Sequence, residues 1–169
     1  QVAVLASGDP FWFGAGSVLA RNFSNSEWTS HPAPSTFSIA ASRLGWPLEE
    51  VRCRGLHATP FERLARDLAP GRRLIVTLRD GAAVQGLADY LTNSGFGASI
   101  LWVMSSLGGP KEQIIRATVD SFQPHDFRHP VCAAIEVAGD GAALPLTSGK
   151  PDDWFENDGQ ITKRPVRAL

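Results

Sequence analysis

The sequence predicts an α/β fold, because strand-like and helix-like patterns alternate along most of its 169 residues. Several strand-like segments are continuous apolar runs, such as residues 73–78, which is typical of strands buried on both faces of a sheet. The apolar fraction of 43% and the charged fraction of 20% are those of an ordinary globular protein. An all-β fold or a helical bundle fits this alternation poorly.

The first part of the chain contains four predicted elements: a buried strand over 2–6, a helix over 14–22, a short strand over 28–31, and a helix from 35–36 to 45. Ser35 or Thr36 can cap the last of these helices, and Gly45 can end it. Trp46-Pro47 then predicts a hinge, because proline disfavours helical geometry in the residue before it.

The second part repeats the alternation, with predicted strands over 51–54, 73–78, 99–104 and 131–137 and helices over 60–68 and 82–93. Residues 112–118 are compatible with either a strand or a helix. From Gly139 the sequence is rich in Gly, Pro and Asp, without a periodic pattern until Ile161, as expected for a linker.

Composition argues against several classes of protein. The net charge of -1 gives no electrostatic reason to expect nucleic acid or an anionic membrane as a partner. No apolar stretch approaches the roughly 20 residues that a membrane span needs. Cys53 and Cys132 lack metal-ligand spacing, so we expect no metal site, two reduced thiols and a cytoplasmic location.

Three turns are candidates for ligand contact. Gly8-Asp9-Pro10 follows an apolar strand-like run and precedes a helix, the position where α/β sheets bind ligands. A purely structural turn explains these residues about equally well. Residues 32–36 have a proline stop and a helix cap as their simpler interpretation, and residues 107–110 a tight turn. Together they indicate strand-end loops whose main chain could hold a cofactor.

Common nucleotide and nucleophile motifs are missing from the sequence. Neither the dinucleotide fingerprint G-x-G-x-x-G nor the phosphate loop G-x-x-x-x-G-K-[ST] occurs, and no G-x-S-x-G elbow is present. His57 follows a predicted strand and is a weaker candidate for facing a ligand. The sequence therefore names no catalytic residue.

Four segments in order, SGDPFWFGAG, PAPSTFSIAASRLGWP, LIVTLRDG and SSLGGPKEQI, resemble the tetrapyrrole methylase family. The RLGWP and LGGPxE segments are most similar to its cobalamin-pathway branch, which methylates precorrin-6Y. The resemblance covers roughly residues 2–138.

The resemblance implies a two-lobed methylase with S-adenosylmethionine bound between the lobes and a precorrin tetrapyrrole in an adjoining cleft. It implies C-methylation of the precorrin at carbon 5 in cobalamin biosynthesis, and a homo-oligomer, either a dimer or larger. The positions that it assigns to cofactor binding are Ser7, Gly8, Asp9, Trp12, Ser35, Thr36, Leu78 or Arg79, and Gly108.

The resemblance also divides the chain. Residues 1–46 correspond to the remainder of an N-terminal lobe, 47–138 to a C-terminal lobe, and 139–169 to a linker and the start of a fused second methyltransferase domain. The family's first strand and its G-x-G-P-G loop have no counterpart here. We therefore expect an incomplete first lobe, a chain cut at both ends, and little activity in this piece alone.

The sequence departs from the family pattern at two places. Pro32-Ala33-Pro34 replaces the usual Pro-Gly, and Ser105-Ser106 stands where an acidic residue often precedes the glycine turn.

Three alternative functions are open. One alternative is a relative that methylates another precorrin carbon or another acceptor. The second is an inert structural or oligomerisation module, and the third, disfavoured by the missing fingerprints, is a generic nucleotide-binding domain.

Overall fold

A computed structural model describes residues 2–169 and contains a mixed five-stranded sheet. Its strands are β1 (Val51–Gly55), β2 (Arg73–Leu78), β3 (Ile100–Ser105), β4 (Gln113–Thr118) and β5 (Val131–Glu136), in the spatial order β1-β2-β5-β3-β4. The segment 112–118, which the sequence left open, thus forms a strand from Gln113. The α/β class is confirmed.

The pairing of the strands brings several strand ends to one edge of the sheet. β1 and β2 are parallel, whereas β5 lies antiparallel to both β2 and β3. In this register Leu78 and Ser105 both pair with Val131, and Gly55 pairs with Thr77. The carboxyl ends of β1, β2 and β3 therefore lie at the same edge of the sheet, with the start of β5 between β2 and β3, and we call this the carboxyl edge.

The α-helices are α1 (Gly16–Asn22), α2 (Thr36–Leu44), α3 (Ala82–Asn93) and α4 (Arg164–Ala168). Single 3₁₀ segments occupy Leu48–Glu50, Phe61–Arg66, Val119–Ser121 and Asp152–Trp154. The predicted helix over 60–68 is thus a 3₁₀ segment. None of the helices between residues 2 and 169 is long and apolar enough to span a membrane.

Helices α2 and α3 cover opposite faces of the sheet. Phe37 and Ala40 of α2 pack in one apolar core with Ile75, on the inner strand β2. Leu87 and Leu91 of α3 belong to the other core, which includes the remaining apolar side chains of β2. Because successive strand residues point to opposite faces, a strand covered on both sides reads as a continuous apolar run.

The residues around the predicted hinge are well packed. Trp46 is only 9% exposed, and its ring meets the ring of Trp102 at 5.2 Å and the Arg73 guanidinium at 5.1 Å. Helix α2, which precedes Trp46, packs on the sheet that follows it. The division of the chain into lobes at residue 46 stays a prediction.

The strands predicted over 2–6 and 28–31 are not formed. Residues 2–6 are irregular, with Val2 90% exposed and Leu5 97% exposed. A strand is stable only when a neighbouring strand accepts and donates its backbone hydrogen bonds. Within residues 2–169, β1 and β4 are the outer strands, and neither pairs with the N-terminal segment.

Candidate functional site

The first helical turn of α2 lies against the turn at Gly8. Gly8 has φ +66°, and a Cβ atom added there would lie 3.4 Å from both the Pro34 carbonyl oxygen and Ser35 Cα. The Ala33 amide donates a hydrogen bond to the Gly8 carbonyl oxygen over 3.2 Å. Two of the three candidate turns are thus in direct contact.

Ser35 caps α2, as the sequence predicts. Its Oγ accepts a hydrogen bond from the Ser38 amide at 3.1 Å, and Gly45, at φ +65°, ends the helix. The Thr36 amide lies 3.9 Å from the Cβ position of Gly8 and has no backbone acceptor among residues 2–169. A helix start carries partial positive charge, so this open amide suits a ligand oxygen.

Asp9 shapes the turn in which it lies. One of its carboxylate oxygens accepts a hydrogen bond from the Phe11 amide at 2.8 Å, and its carbonyl accepts one from the Trp12 amide at 3.2 Å. The structural role considered for this turn is therefore present. Trp12, 41% exposed, lies with its ring centroid 5.3 Å from that of Phe37 on α2.

The third candidate turn, residues 107–110, follows the carboxyl end of β3 and contacts α2. Gly108 has φ +77°, and its Cβ position is 3.4 Å from Cδ1 of Ile39. Glu112 Oε2 accepts a hydrogen bond from the Gly108 amide at 2.7 Å. Glu112 also binds Arg43 of α2 through two hydrogen bonds, at 2.6 and 3.0 Å. All three candidate turns therefore contact α2.

These hydrogen bonds shift the protonation of the groups involved. The Arg43 guanidinium, followed by the Gly108 amide, holds the pKa of Glu112 below its ordinary value. The same hydrogen bond and charge raise the pKa of Arg43. Glu112 is thus ionised and fixed in place by a cation and a backbone donor.

The other predicted site residues stand farther apart. Leu78 ends β2 at the carboxyl edge, but its side chain is buried in the core beneath α3. The Arg79 side chain is exposed and pairs with Asp80 at 2.8 Å, and Asp80 accepts a hydrogen bond from the Ala83 amide. Ser7 is exposed. Ser7 directly precedes Gly8, whereas neither Leu78 nor Arg79 forms a hydrogen bond with Gly8 or Thr36 among residues 2–169.

Two polar or strained features of this edge were missed by sequence analysis. Thr77 Oγ1 is buried without a hydrogen-bond partner among the described residues, one position before Leu78. Phe13 at φ 58° and Ser106 at φ 52° are the non-glycine residues with positive φ in the described chain. Strained backbone of this kind concentrates at functional sites. Phe13 follows the turn at Gly8-Asp9-Pro10 by three residues, and Ser106 directly precedes the turn at 107–110.

Aromatic side chains close the side of the site near β1. The Phe13 ring lies 3.1 Å from the Cβ position of Gly55, and its centroid is 5.8 Å from that of Phe37. His57 is exposed just beyond Gly55, at the same edge. Across residues 2–169, no three His, Cys, Asp or Glu residues are grouped as a metal site would require.

Comparison with known proteins identifies the family of the chain. The family model for Tetrapyrrole (Corrin/Porphyrin) Methylases matches residues 1–123. The chain belongs to the tetrapyrrole methylase family. It is 48% identical, over 99% of its length, to the precorrin-6Y C(5,15)-methyltransferase [decarboxylating] of a Sinorhizobium species. It is 36% identical, over 98% of its length, to the protein of that name from Mycobacterium tuberculosis (strain CDC 1551 / Oshkosh).

The chain is shorter than these relatives. It spans 41% of the Sinorhizobium protein and 42% of the mycobacterial protein. The alignments nevertheless include all three candidate turns, since nearly the whole of the chain is covered.

Solved structures share the fold at low identity. The methyltransferase CobJ is similar with a TM-score of 0.57 and 16% identity, covering 78% of this chain and 62% of that one. The uroporphyrin-III C-methyl transferase from Thermus thermophilus, solved with S-adenosyl homocysteine, gives 0.54 and 20%, covering 76% and 62%. These likenesses confirm a tetrapyrrole methylase type of α/β fold.

Proposed function

We propose that the chain is part of an S-adenosylmethionine-dependent methyltransferase that methylates carbon 5 of a precorrin-6Y-type macrocycle in cobalamin biosynthesis. The observation that carries this proposal is the 48% identity, over 99% of the chain, to a precorrin-6Y methyltransferase. The family match and the solved relative that holds S-adenosyl homocysteine point to the same class of cofactor.

The described residues fit such a cofactor. The Thr36 amide and the Thr77 hydroxyl are polar groups without partners at one edge of the sheet, where they could meet the oxygen atoms of a nucleoside. Gly8 and Gly108 have no side chains, so a ligand beside α2 could approach the backbone closely at both positions. We assign cofactor binding to these residues together with Ser7, Asp9, Trp12, Ser35 and the backbone of Leu78 or Arg79.

The cofactor would supply a methyl group activated on a sulfonium. The acceptor ring is electron-rich, so the protein's task is to hold donor and acceptor in line and to keep water away. Trp12 and Phe13, which pack on Phe37, would provide an apolar wall for this purpose. The proposal assigns no general base.

We extend the proposal to the full-length protein, since the relatives are more than twice as long as this chain. It would be a cytoplasmic homo-oligomer with a second, fused methyltransferase domain. Light scattering on the full-length protein tests the oligomer, because a monomeric mass at working concentration would contradict it.

A labelling experiment tests the proposed reaction. Full-length protein is incubated with precorrin-6Y and S-adenosylmethionine carrying a ¹³C methyl group, and the product is analysed by NMR. We expect the label on carbon 5 of the ring. Methylation only of an earlier precorrin would reject this substrate, and the absence of both methylation and S-adenosylhomocysteine binding would reject the enzyme class.

A further inference from the structure

A separate open cavity of about 480 Å³ lies at the carboxyl end of β3. Its lining residues are Ser105, Lys111, Glu112, Gln113, Asp126 and Arg128. Ser105 is on the same face of β3 as Leu101 and Val103, which pack in the core beneath α3. One wall of the cavity therefore lies on the α3 side of the sheet, whereas Glu112 in its lining binds Arg43 of α2.

Glu112 joins this cavity to the candidate cofactor site. The carboxylate that lines the cavity also accepts the hydrogen bond from the Gly108 amide and holds Arg43 of α2. A ligand in the cavity would thus lie next to the turn that we assign to the cofactor.

The cavity carries two cations without ion-pair partners. Neither Lys111 nor Arg128 lies within 4.0 Å of a carboxylate oxygen among residues 2–169, whereas Glu112 is already neutralised by Arg43. Asp126 is the remaining acidic residue of the lining. Two unpaired cations therefore face one unpaired carboxylate, which leaves an excess of positive charge.

A buried polar residue completes the lining. Ser105 is 2% exposed and lines the cavity at the end of β3. Two cationic donors and one hydroxyl donor are a combination that binds a carboxylate, and an arginine fork can do so with two parallel hydrogen bonds.

We propose that this cavity binds a peripheral carboxylate of the tetrapyrrole acceptor, with Lys111, Arg128 and Ser105 as donors. The inference rests on the proposed function, because it takes a macrocycle with carboxylate side chains as the substrate. Binding one edge of the ring here would fix the position of the ring relative to the Gly108 turn. These residues would therefore determine specificity without touching the reacting carbon.

Steady-state kinetics of the full-length protein with precorrin-6Y tests the proposal. Lys111→Gln and Arg128→Gln should each raise KM by about five- to tenfold, because each removes one charged contact, and should leave kcat within about twofold. Asp126→Asn should lower KM, because it removes the repelling charge. Arg128→Lys should raise KM less than Arg128→Gln does, since it keeps the positive charge.

Arg63→Gln is the matched control, since Arg63 is exposed, lies outside the cavity lining and has no ion pair within residues 2–169. It should leave KM unchanged, and the Kd for S-adenosylhomocysteine should be the same in every variant. The proposal is overturned if Arg128→Gln changes KM no more than Arg63→Gln does, or if Asp126→Asn raises KM. The proposed function fails only if the wild type neither methylates precorrin-6Y nor binds S-adenosylhomocysteine. Failure of the cavity proposal is therefore distinguishable from failure of the proposed function.

Discussion

Replacing Gly8 by alanine perturbs the turn that meets the start of α2. Gly8 has φ +66°, a conformation that costs an L residue about 1–2 kcal/mol. The added methyl group would lie at ordinary contact distance, 3.4 Å from the Pro34 carbonyl oxygen and from Ser35 Cα. Steric overlap therefore adds little, and we expect the free energy of unfolding to fall by about 1–2 kcal/mol.

The same methyl group should weaken cofactor binding. It would stand 3.9 Å from the Thr36 amide nitrogen, in the space where a ligand oxygen would accept a hydrogen bond. Losing one such bond costs about 1–1.4 kcal/mol, so Kd should rise roughly five- to tenfold. Titration calorimetry of the full-length protein with S-adenosylhomocysteine measures the affinity, and urea unfolding measures the stability.

Gly45→Ala separates these two effects. Gly45 has nearly the same φ, +65°, at the other end of α2, and its Cβ position has no neighbour within 4 Å. This variant should lose similar stability and keep the wild-type Kd. Equal loss of affinity in both variants, or an unchanged Kd in Gly8→Ala, would refute the assignment of the Gly8 turn to the cofactor.

Three other properties can be checked by simple measurements. Ser35→Ala removes the acceptor of the Ser38 amide and should cost about 1 kcal/mol in urea unfolding, whereas Ser35→Thr should keep most of it. The pKa of Glu112 is lowered in the folded protein. Its ion pair with Arg43 therefore stabilises the fold at pH values above the ordinary carboxyl pKa of about 4.3, and this stabilisation is lost as the pH falls through the lowered pKa. The stability difference between wild type and Glu112→Gln should therefore shrink between pH 7 and pH 3, and a constant difference would contradict this account. Burial raises the pKa of the Cys132 thiol to about 12, so iodoacetamide at pH 8 should modify Cys132 only after unfolding, as mass spectrometry would show.

Local signals in the sequence were sufficient to predict α2 and most of the sheet. Ser35 and Gly45 mark the two ends of α2 by chemistry that acts within a few residues, through a capping hydroxyl and a left-handed backbone position. The apolar runs of β2 and β5 identify strands that are covered on both faces. In these elements, the local residues are sufficient to explain the structure.

The predicted strand over 2–6 failed because strand formation depends on partners that are distant in sequence. Its apolar pattern is real, yet neither outer strand of the described sheet pairs with it. Hydrophobic periodicity predicts that a segment can be a strand and gives no information about which strand lies beside it. The helix predicted over 60–68 is likewise replaced by a 3₁₀ segment over Phe61–Arg66.

The candidate site was only partly predictable. Sequence analysis selected Gly8, Ser35 and Gly108 as members of turns, but their common contact with α2 follows from the fold. Glu112 belongs to the LGGPxE segment, and yet its bonds to Arg43 and the Gly108 amide could not be inferred from its position. Thr77 gave no signal, because a threonine in a strand is ordinary until its hydroxyl is found buried without a partner.

A crystal structure of the full-length protein with S-adenosylhomocysteine tests the central claim most directly. We expect the ligand to lie at the carboxyl edge of the sheet, with one oxygen on the Thr36 amide and with Gly8 and Gly108 on either side. Ligand bound away from these turns, or no bound ligand at millimolar concentration, would contradict it.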